Sequence, residues 1–500
     1  MADQSILSYL LIALKPANFL SCFAGAVIGT LIGVLPGLGP AAAMALVIPL
    51  TLKLGPTAGL IMLAGIYYGS MYGGSTTSIL INVPGEPASV VTTLDGYAMA
   101  RKGRAGAALA IAAIGSFAAG TFSVIALQFF APLLARAALA FGPAEYFALT
   151  MLGVILLSNL AGTSRSRSLI MMISGLILST VGMDPIGGLE RFSFGIPTAQ
   201  GGISFIAITT GFFGIAEVFA VLSAREKPQE ILPVRLRELY PDRDEIKRSL
   251  KPIARGSVLG FLIGLLPGPA ATMAAFSSYG LERWLSRNPE TFGKGAIEGV
   301  AGPEAANNAA CGGAMIPLLS LGLPFTPATA VLLGGMLLHS VTPGPFLLRD
   351  RPDVFWGVIG SFYLGNAMLL ILNLPLVGIF ARLVRVPARY LMPVILVLCT
   401  IGTYGDNGAF FDVWVMLGAG IIGFVMRKYG YSPAPLVVGL VLGPVMERSF
   451  RQTLIISVGN LASLWESAIC KAVWAVALIA IILPLLIRLF RKKTDVSSTD

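Results

Sequence analysis

The sequence predicts an all-α polytopic membrane protein, and three observations carry that expectation. Only 12% of the 500 residues are charged, about half the share expected of a soluble protein. Mean hydropathy is +0.81. Apolar runs of about 20 residues recur, each long enough to cross roughly 30 Å of hydrocarbon. Examples are "AALAIAAIGSFAAGTFSVIALQFFAPLLA", "ISFIAITTGFFGIAEVFAVL", "VFWGVIGSFYLGNAMLLILNLPLVGIF" and "AVWAVALIAIILPLLIRLF". At that length the chain has room for roughly 11–13 membrane segments.

The start "MADQSILSYLLIALKPANF" has neither a basic region nor a small-residue cleavage site, so the first span is expected to serve as its own insertion signal. The net charge of +10 does not point to nucleic acid. Its basic residues sit in short connections and in the tail "RLFRKK", the distribution expected of cytoplasmic loops. Cys22, Cys311, Cys399 and Cys470 are far apart in apolar surroundings and read as small buried residues rather than a disulfide framework. With His339 the sole histidine, a zinc or haem site is not expected.

One long polar stretch, residues 224–251, cuts the chain near its midpoint and carries Arg225, Lys227, Arg235, Arg237, Arg243, Lys247, Arg248 and Lys251. It reads as a cytoplasmic linker. The expected organisation is a first transmembrane half over 1–223, a charged linker over 224–252, a second half over 253–490 and a cytoplasmic tail over 491–500.

The halves resemble each other. "GVLPGLGPAAAMA" (33–45) aligns with "GLLPGPAATMA" (264–274) once two residues are dropped, and each copy follows a Lys-Pro, at Lys15-Pro16 and Lys251-Pro252. Further on, "VPGEPAS" (83–89) matches "LPFTPAT" (323–329), each preceded by a Gly-Gly, Gly73-Gly74 and Gly312-Gly313. Two motifs in the same order at similar spacing make an internal repeat. The basic cluster Arg101, Lys102 and Arg104 follows the first copy, whereas after the second Arg349 and Arg351 alternate with Asp350 and Asp353. That weaker basic excess favours an inverted repeat.

Proline inside a helix removes an amide donor and crowds the preceding turn. In hydrocarbon the freed carbonyls find no water, so such backbone persists only against protein or a wet cavity. A single proline reads as a kink. Four interrupted stretches, two per half at corresponding positions, are the pointer to a transporter site built from discontinuous helices. Half-helices starting near Pro40 and Pro269 would present unpaired amides and a positive dipole end, which suit carboxylates. The expected substrate-binding residues are Pro36, Gly37, Gly39, Pro40, Ser75, Thr76, Thr77, Pro267, Gly268, Pro269, Asn307, Asn308 and Thr326. A sodium ion is expected among Asn82, Asn307, Thr326 and Thr329, since amides, hydroxyls and helix C-termini supply neutral oxygens. The same residue types also serve in ordinary interhelical hydrogen bonds. Glu86, Asp95, Glu298 and Glu304 flank the motifs and are expected mainly to cap helix ends. Glu217, Asp406, Asp412 and Glu466 are candidates for proton carriers or for interface positions.

"PGEPASVVTTLDGYAMARKGRAG" and "EGVAGPEAANNAACGGAMIPLLSLGLPFTPATAVLLGGMLLHSVTPGP" resemble the large membrane subunit of the tripartite tricarboxylate transporters, the TctA type, and the two Leu-Pro-Gly stretches fit as well. The resemblance runs from about residue 16 to beyond 450. It implies a multi-pass subunit of a bacterial inner-membrane secondary transporter that works with a small TctB-type membrane subunit and a periplasmic TctC-type solute-binding protein. It further implies citrate, other di- or tricarboxylates or related organic acids as substrates, driven inward by sodium or protons, with no nucleotide or other cofactor. No phosphate-binding G-x-x-x-x-G-K-S/T loop is present. The expected mechanism is alternating access, with an elevator-like slide suited to paired re-entrant breaks. The rivals are a stand-alone organic-anion carrier and a channel, since selectivity filters also use irregular backbone. No enzymatic arrangement of nucleophile and base is found in the spans. The residues leave open which carboxylate is carried, whether sodium or protons drive it, and whether homo-oligomers form.

Overall fold

The computed structural model describes residues 11–35, 39–160, 164–184, 186–223, 240–376 and 388–496. Helices dominate: α1 (Pro16–Val34), α2 (Pro40–Thr51), α3 (Pro56–Ile81), α4 (Ala105–Ala138), α5 (Pro143–Leu160), α6 (Arg165–Leu178), α7 (Phe205–Ser223), α8 (Arg243–Gly264), α9 (Ala270–Leu285), α10 (Glu298–Leu321), α11 (Pro327–Leu338), α12 (Pro352–Asn373), α13 (Ala388–Asn407), α14 (Phe410–Lys428), α15 (Ala434–Ile456) and α16 (Ala468–Val496). The strands β1 (Gly182–Met183) and β2 (Glu190–Arg191) form one small antiparallel hairpin. Among the described residues, five helices are long and apolar enough to cross a membrane: α1, Ala100–Ala138, α7, α12 and α14. With 26 and 24 residues, α3 and α10 are also long enough. Their Ser, Thr, Asn and Gly content keeps them off that apolar set, and nearly all their side chains are buried in protein.

The chain forms two compact units, one of Met1–Arg136 with Ser204–Lys428, the other of Ala137–Ile203 with Tyr429–Asp500. In the smaller unit, α15 packs on α5 and α6, and the hairpin is tied down by ion pairs from Arg451 to Asp184 (2.7 Å) and from Arg191 to Glu447 (2.6 Å). The Gly187 amide, the Arg451 guanidinium and the Ile186 amide hold the Asp184 carboxyl below the usual carboxylate range.

The larger unit is built on two glycine-lined helix pairs. Gly25, Gly29 and Gly33 of α1 lie against the carbonyls of Met62, Ile66 and Ser70 of α3. Gly256, Gly260 and Gly264 of α8 lie against those of Gly302, Ala306 and Ala310 of α10. One constant shift in residue number carries the first glycines onto the second set, and another carries the first carbonyls onto the second. The internal repeat is therefore present in backbone contacts as well as in motifs. It also sets the register: Gly73, against Thr30, is the counterpart of Gly313, against Phe261, so the two Gly-Gly pairs are offset by one residue. Small residues every fourth position let helix backbones touch, the usual means of close packing where lipid gives no hydrophobic drive.

Contacts advance in the same direction along both partners, so α1 runs parallel to α3, and α8 to α10. The short helices α2 and α9 must then return to the side they came from. Glu282 near the end of α9 pairs with Arg255 in the middle of α8, and Thr51 at the end of α2 meets His339 (3.0 Å) beside Gly59 near the start of α3. Each repeat thus begins with a re-entrant helical hairpin.

The equivalent helices α3 and α10 run antiparallel. Ser75 late in α3 bonds Glu304 early in α10 (2.5 Å), while Tyr68 faces Gly312. The end of α3 lies by the start of α10, where Asp95 accepts from the amides of Gly295 (2.7 Å) and Ala296 (2.8 Å), and Gly96 packs on Ile79. Antiparallel equivalents make the repeat an inverted one, with hairpins entering from opposite ends.

The charged stretch ends earlier than expected as a linker. Residues 224–239 lie outside the described residues, and α8 already starts at Arg243, because Asp242 and Glu245 form a reciprocal capping box (2.8 and 2.9 Å). Arg104 pairs with Glu245, and Lys102 donates to the Lys294 carbonyl (2.5 Å), which places the Arg101–Arg104 cluster beside the start of α8 on one end of the unit.

Replacing Gly260 by Ala pushes a methyl group into the Ala306 backbone and is expected to cost about 1–3 kcal/mol. Gly280→Ala on α9, with no atom within 4 Å of the new carbon, is expected to be neutral or to gain up to about 1 kcal/mol. Melting of the detergent-purified variants checks both.

Candidate functional site

Each repeat breaks twice, and the two kinds of break differ in how their backbone is satisfied. At the second, α3 ends on Asn82 (φ 58°) and α10 on Gly322 (φ 72°), both left-handed. Glycine or asparagine is what that helix-ending position favours. An extended stretch follows, and the chain resumes helix at Pro87 and Pro327, where the missing amide of proline costs nothing. Both restarts are closed by their own side chains. Glu86 accepts from the Ala88 amide (2.8 Å) and Ser89 returns to the Glu86 backbone; Thr326 accepts from the Thr329 amide (3.1 Å), and the Thr329 hydroxyl takes the Thr326 amide (2.9 Å).

The first breaks are left open. The start of α2 after Gly39 and that of α9 after Pro269 have no side-chain cap. Their first turns read Pro-Ala-Ala-Ala and Ala-Ala-Thr-Met, and in the second the Ala270 amide is taken by the Gly268 carbonyl (2.8 Å). Pro36 and Gly37 lie outside the described residues. In the second repeat, Gly268 (φ 135°) donates its amide to the Phe325 carbonyl (2.8 Å), which ties the two breaks together; Pro267 and Pro269 flank it. In the first repeat, Gly85 packs against the Gly33 carbonyl.

Between the repeats lies a buried polar cluster centred on Glu304. Its carboxylate accepts from the hydroxyl of Ser75 on α3 (2.5 Å), from the hydroxyl of Thr92, and at 3.4 Å from the amide of Asn307. Asn308 donates to Ser116 on α4 (2.8 Å), to the Asn307 side-chain oxygen (2.6 Å) and to the Glu304 carbonyl (3.0 Å). Glu304, Asn307 and Asn308 are wholly buried. Beside them is a cavity of about 10 Å³ lined by Tyr72, Ser75, Thr76, Ser116 and Asn373, with Leu109, Ala112 and Ala113 as its apolar wall, about the room one water needs. Sites for small organic ligands are commonly about 300–1,000 Å³, so a carboxylate enters here only if the packed elements separate. A larger groove of about 780 Å³ opens where α8 meets α9, lined by Lys247, Arg248, Lys251, Arg255 and Arg287 with Glu282 and Glu298.

Of the residues singled out in the sequence, Ser75, Thr76, Asn307 and Asn308 come together in this cluster. Gly39, Pro40, Pro267, Gly268 and Pro269 form the hairpin tips, while Thr77 bonds the Gly74 carbonyl of its own helix (3.1 Å). Thr326 and Thr329 close the start of α11. Asn82 is an exposed helix end, and among the described residues no hydrogen bond joins it to Asn307, Thr326 or Thr329. Glu86 caps as expected; Asp95 instead holds the Gly295 and Ala296 amides ahead of α10, and Glu298 pairs with Arg248 (2.7 Å). Glu304 is not a cap but the hub of the cluster. Its signal was legible as a carboxylate three residues before Asn307, on the same helix face. Glu217 pairs with Arg427, Asp406 accepts from Ser204 (3.0 Å) and Asp412 from Asn407 (2.8 Å). All four cysteines are buried and free.

Comparison with known proteins adds a family. Residues 19–438 match the family described as Tripartite tricarboxylate transporter TctA family. An uncharacterized 52.8 kDa protein in the TAR-I ttuC' 3' region of Agrobacterium vitis is 47% identical over 484 residues, 97% of this chain and 96% of the relative. An uncharacterized protein in the TAR-II ttuC' 3' region of the same organism is 43% identical over 241 residues, 48% of this chain and all of the relative. No solved structure matches the chain.

Because Thr326 supplies the cap of α11, Thr326→Val is expected to cost about 1 kcal/mol and Thr326→Ser little. Melting of both variants in detergent measures the difference.

Proposed function

The chain belongs to the tripartite tricarboxylate transporter TctA family, and from that membership we propose that it is the large permease subunit of a binding-protein-dependent importer of di- or tricarboxylates in a bacterial inner membrane. In this reading a TctC-type periplasmic protein delivers the substrate, a TctB-type small subunit completes the membrane part, and a sodium or proton gradient drives uptake. The end bearing Arg104, Lys102 and the start of α8 faces the cytoplasm, in keeping with the basic bias of cytoplasmic loops.

The observation that carries the reading is the contrast between the two kinds of break. The restarts at Pro87 and Pro327 are closed by their own side chains, while α2 and α9 begin half-buried with no side-chain cap. Helix starts of that kind are ready-made anion sites, with free amides and the positive end of the helix dipole directed at the ligand. Because the inverted repeat brings such starts in from both ends, a carboxylate with two or three charged groups can be held by dipoles, hydroxyls and amides without a fixed arginine. The cavity beside Ser75, Thr76 and Ser116 is far smaller than such a substrate. Binding therefore requires relative motion of hairpins and scaffold, which fits alternating access by an elevator-like slide.

Two substitutions test the site in vesicles that also contain the partner proteins and receive labelled citrate or a dicarboxylate. Thr272→Asp puts a carboxylate in the first turn of α9, where the dipole stabilises it by about 0.3–1 kcal/mol, so melting is expected to hold or rise. Uptake is expected to fall about tenfold or more, because the new charge takes the place of the substrate's. Asn307→Ala is expected to lower uptake likewise. Wild-type uptake in both variants would contradict the assignment.

A further inference from the structure

Glu304 raises a question that carboxylate binding does not answer. Its side chain is wholly buried, and every group bonded to it is neutral: the hydroxyls of Ser75 and Thr92 and the amide of Asn307. Among the described residues no lysine, arginine or histidine comes within ion-pair distance of it. Several charged groups on the elements packed around α10 have partners elsewhere, and among the described residues Arg243, Lys247 and Lys251 of α8 and Arg283 of α9 form no ion pair with Glu304. On α8 and α9, Arg255 pairs with Glu282. On α8, Arg248 pairs with Glu298 in the first turn of α10 itself. Asp95, after the break, takes the Gly295 and Ala296 amides and the Tyr279 hydroxyl (2.9 Å). At the far end, Arg349 pairs with Asp350. Two ionisable groups lie close by: Tyr72, which lines the small cavity together with Ser75, and Glu86, which packs on Gly74 next to Ser75. Glu86 adds a second acid, with one carboxylate oxygen buried and without a partner.

An ionised carboxylate in such surroundings, next to another acid, is unfavourable by many kcal/mol unless a positive charge joins it. Intramembrane acids of this kind mark ion or proton pathways. The position adds a mechanical consequence, because Glu304 belongs to the second repeat while Ser75 and Thr92 belong to the first. Neutralised, the carboxyl group joins the repeats; left bare and negative, it favours their separation and the entry of water.

We propose that Glu304 is the site where the coupling cation is taken up and released, a monovalent cation, proton or sodium ion, that neutralises the buried carboxylate. A proton converts the carboxylate to a carboxylic acid; a sodium ion pairs with it and draws further oxygen ligands from the Ser75 and Thr92 hydroxyls. The proposal rests on the carboxylate-importer reading only for what the cation drives. A co-transported cation at this point would also offset part of the substrate's charge during the crossing.

The first test needs no substrate. The melting temperature of the purified full-length chain is followed against pH in choline chloride, and against sodium chloride at fixed pH with choline chloride as the balance. Wild type is expected to gain stability with acid if the ion is a proton, or with sodium if it is sodium. Glu304→Gln, neutral and of the same shape, is expected to lose that response. Equal responses in the two proteins would overturn the proposal, as would a wild type that responds to neither ion. If Glu304→Gln does not fold, Thr92→Val takes its place and must shift the midpoint of the response; an unmoved midpoint counts against Glu304. The second test is uptake driven by an imposed sodium or pH gradient, expected to drop about tenfold or more in Glu304→Gln. Should wild type carry no carboxylate, the importer reading fails while the melting test still decides Glu304.

Discussion

The architecture depends on two pairs of helices whose backbones touch. With glycine at every fourth position of α1 and α8, the carbonyls of α3 and α10 come close enough to exclude any side chain between them. This close packing needs no hydrophobic drive and holds each re-entrant hairpin against the long polar helix of its own repeat. A broken helix persists in a membrane only against protein or a wet cavity, and this packing supplies the protein.

From that placement the chemistry follows. Inside the unit, backbone groups freed by a break must be met by the protein or by a ligand. The second break of each repeat is met by its own Glu86–Ser89 or Thr326–Thr329 box, while the helix starts after the first break carry no side-chain cap. Ser75, Thr92, Ser116, Asn307 and Asn308 surround Glu304 with neutral donors. The cluster is therefore polar without a fixed positive charge.

Much of this was legible in the chain. Matched Pro-Gly motifs gave the repeat and its four breaks, and the uneven basic residues after the two copies pointed to inversion, which the antiparallel α3 and α10 bear out. The Gly25–Gly29–Gly33 and Gly256–Gly260–Gly264 stripes were equally visible as a four-residue period, yet a period alone does not say which helix it meets. That Thr326 and Thr329 also close the start of α11 was not legible, because a hydroxyl's partner depends on where the nearest free amide lies, a matter of local backbone that composition does not record. Glu304 looked like a helix cap because its distance from any cation is a property of the folded interior. The start of α8 inside the charged stretch has a local reason, the Asp242–Glu245 box.

The opposed entry of the two hairpins is the central claim, and accessibility from the two sides of the membrane tests it most directly. Lys53 lies in the short loop between α2 and α3, and Lys294 in the corresponding loop between α9 and α10; both are exposed. Single cysteines, Lys53→Cys and Lys294→Cys, are treated with a membrane-impermeant thiol reagent in vesicles of known orientation, with the four buried native cysteines as background. The inverted hairpins require the two positions to react from opposite sides. Labelling of both from the same side would contradict the account.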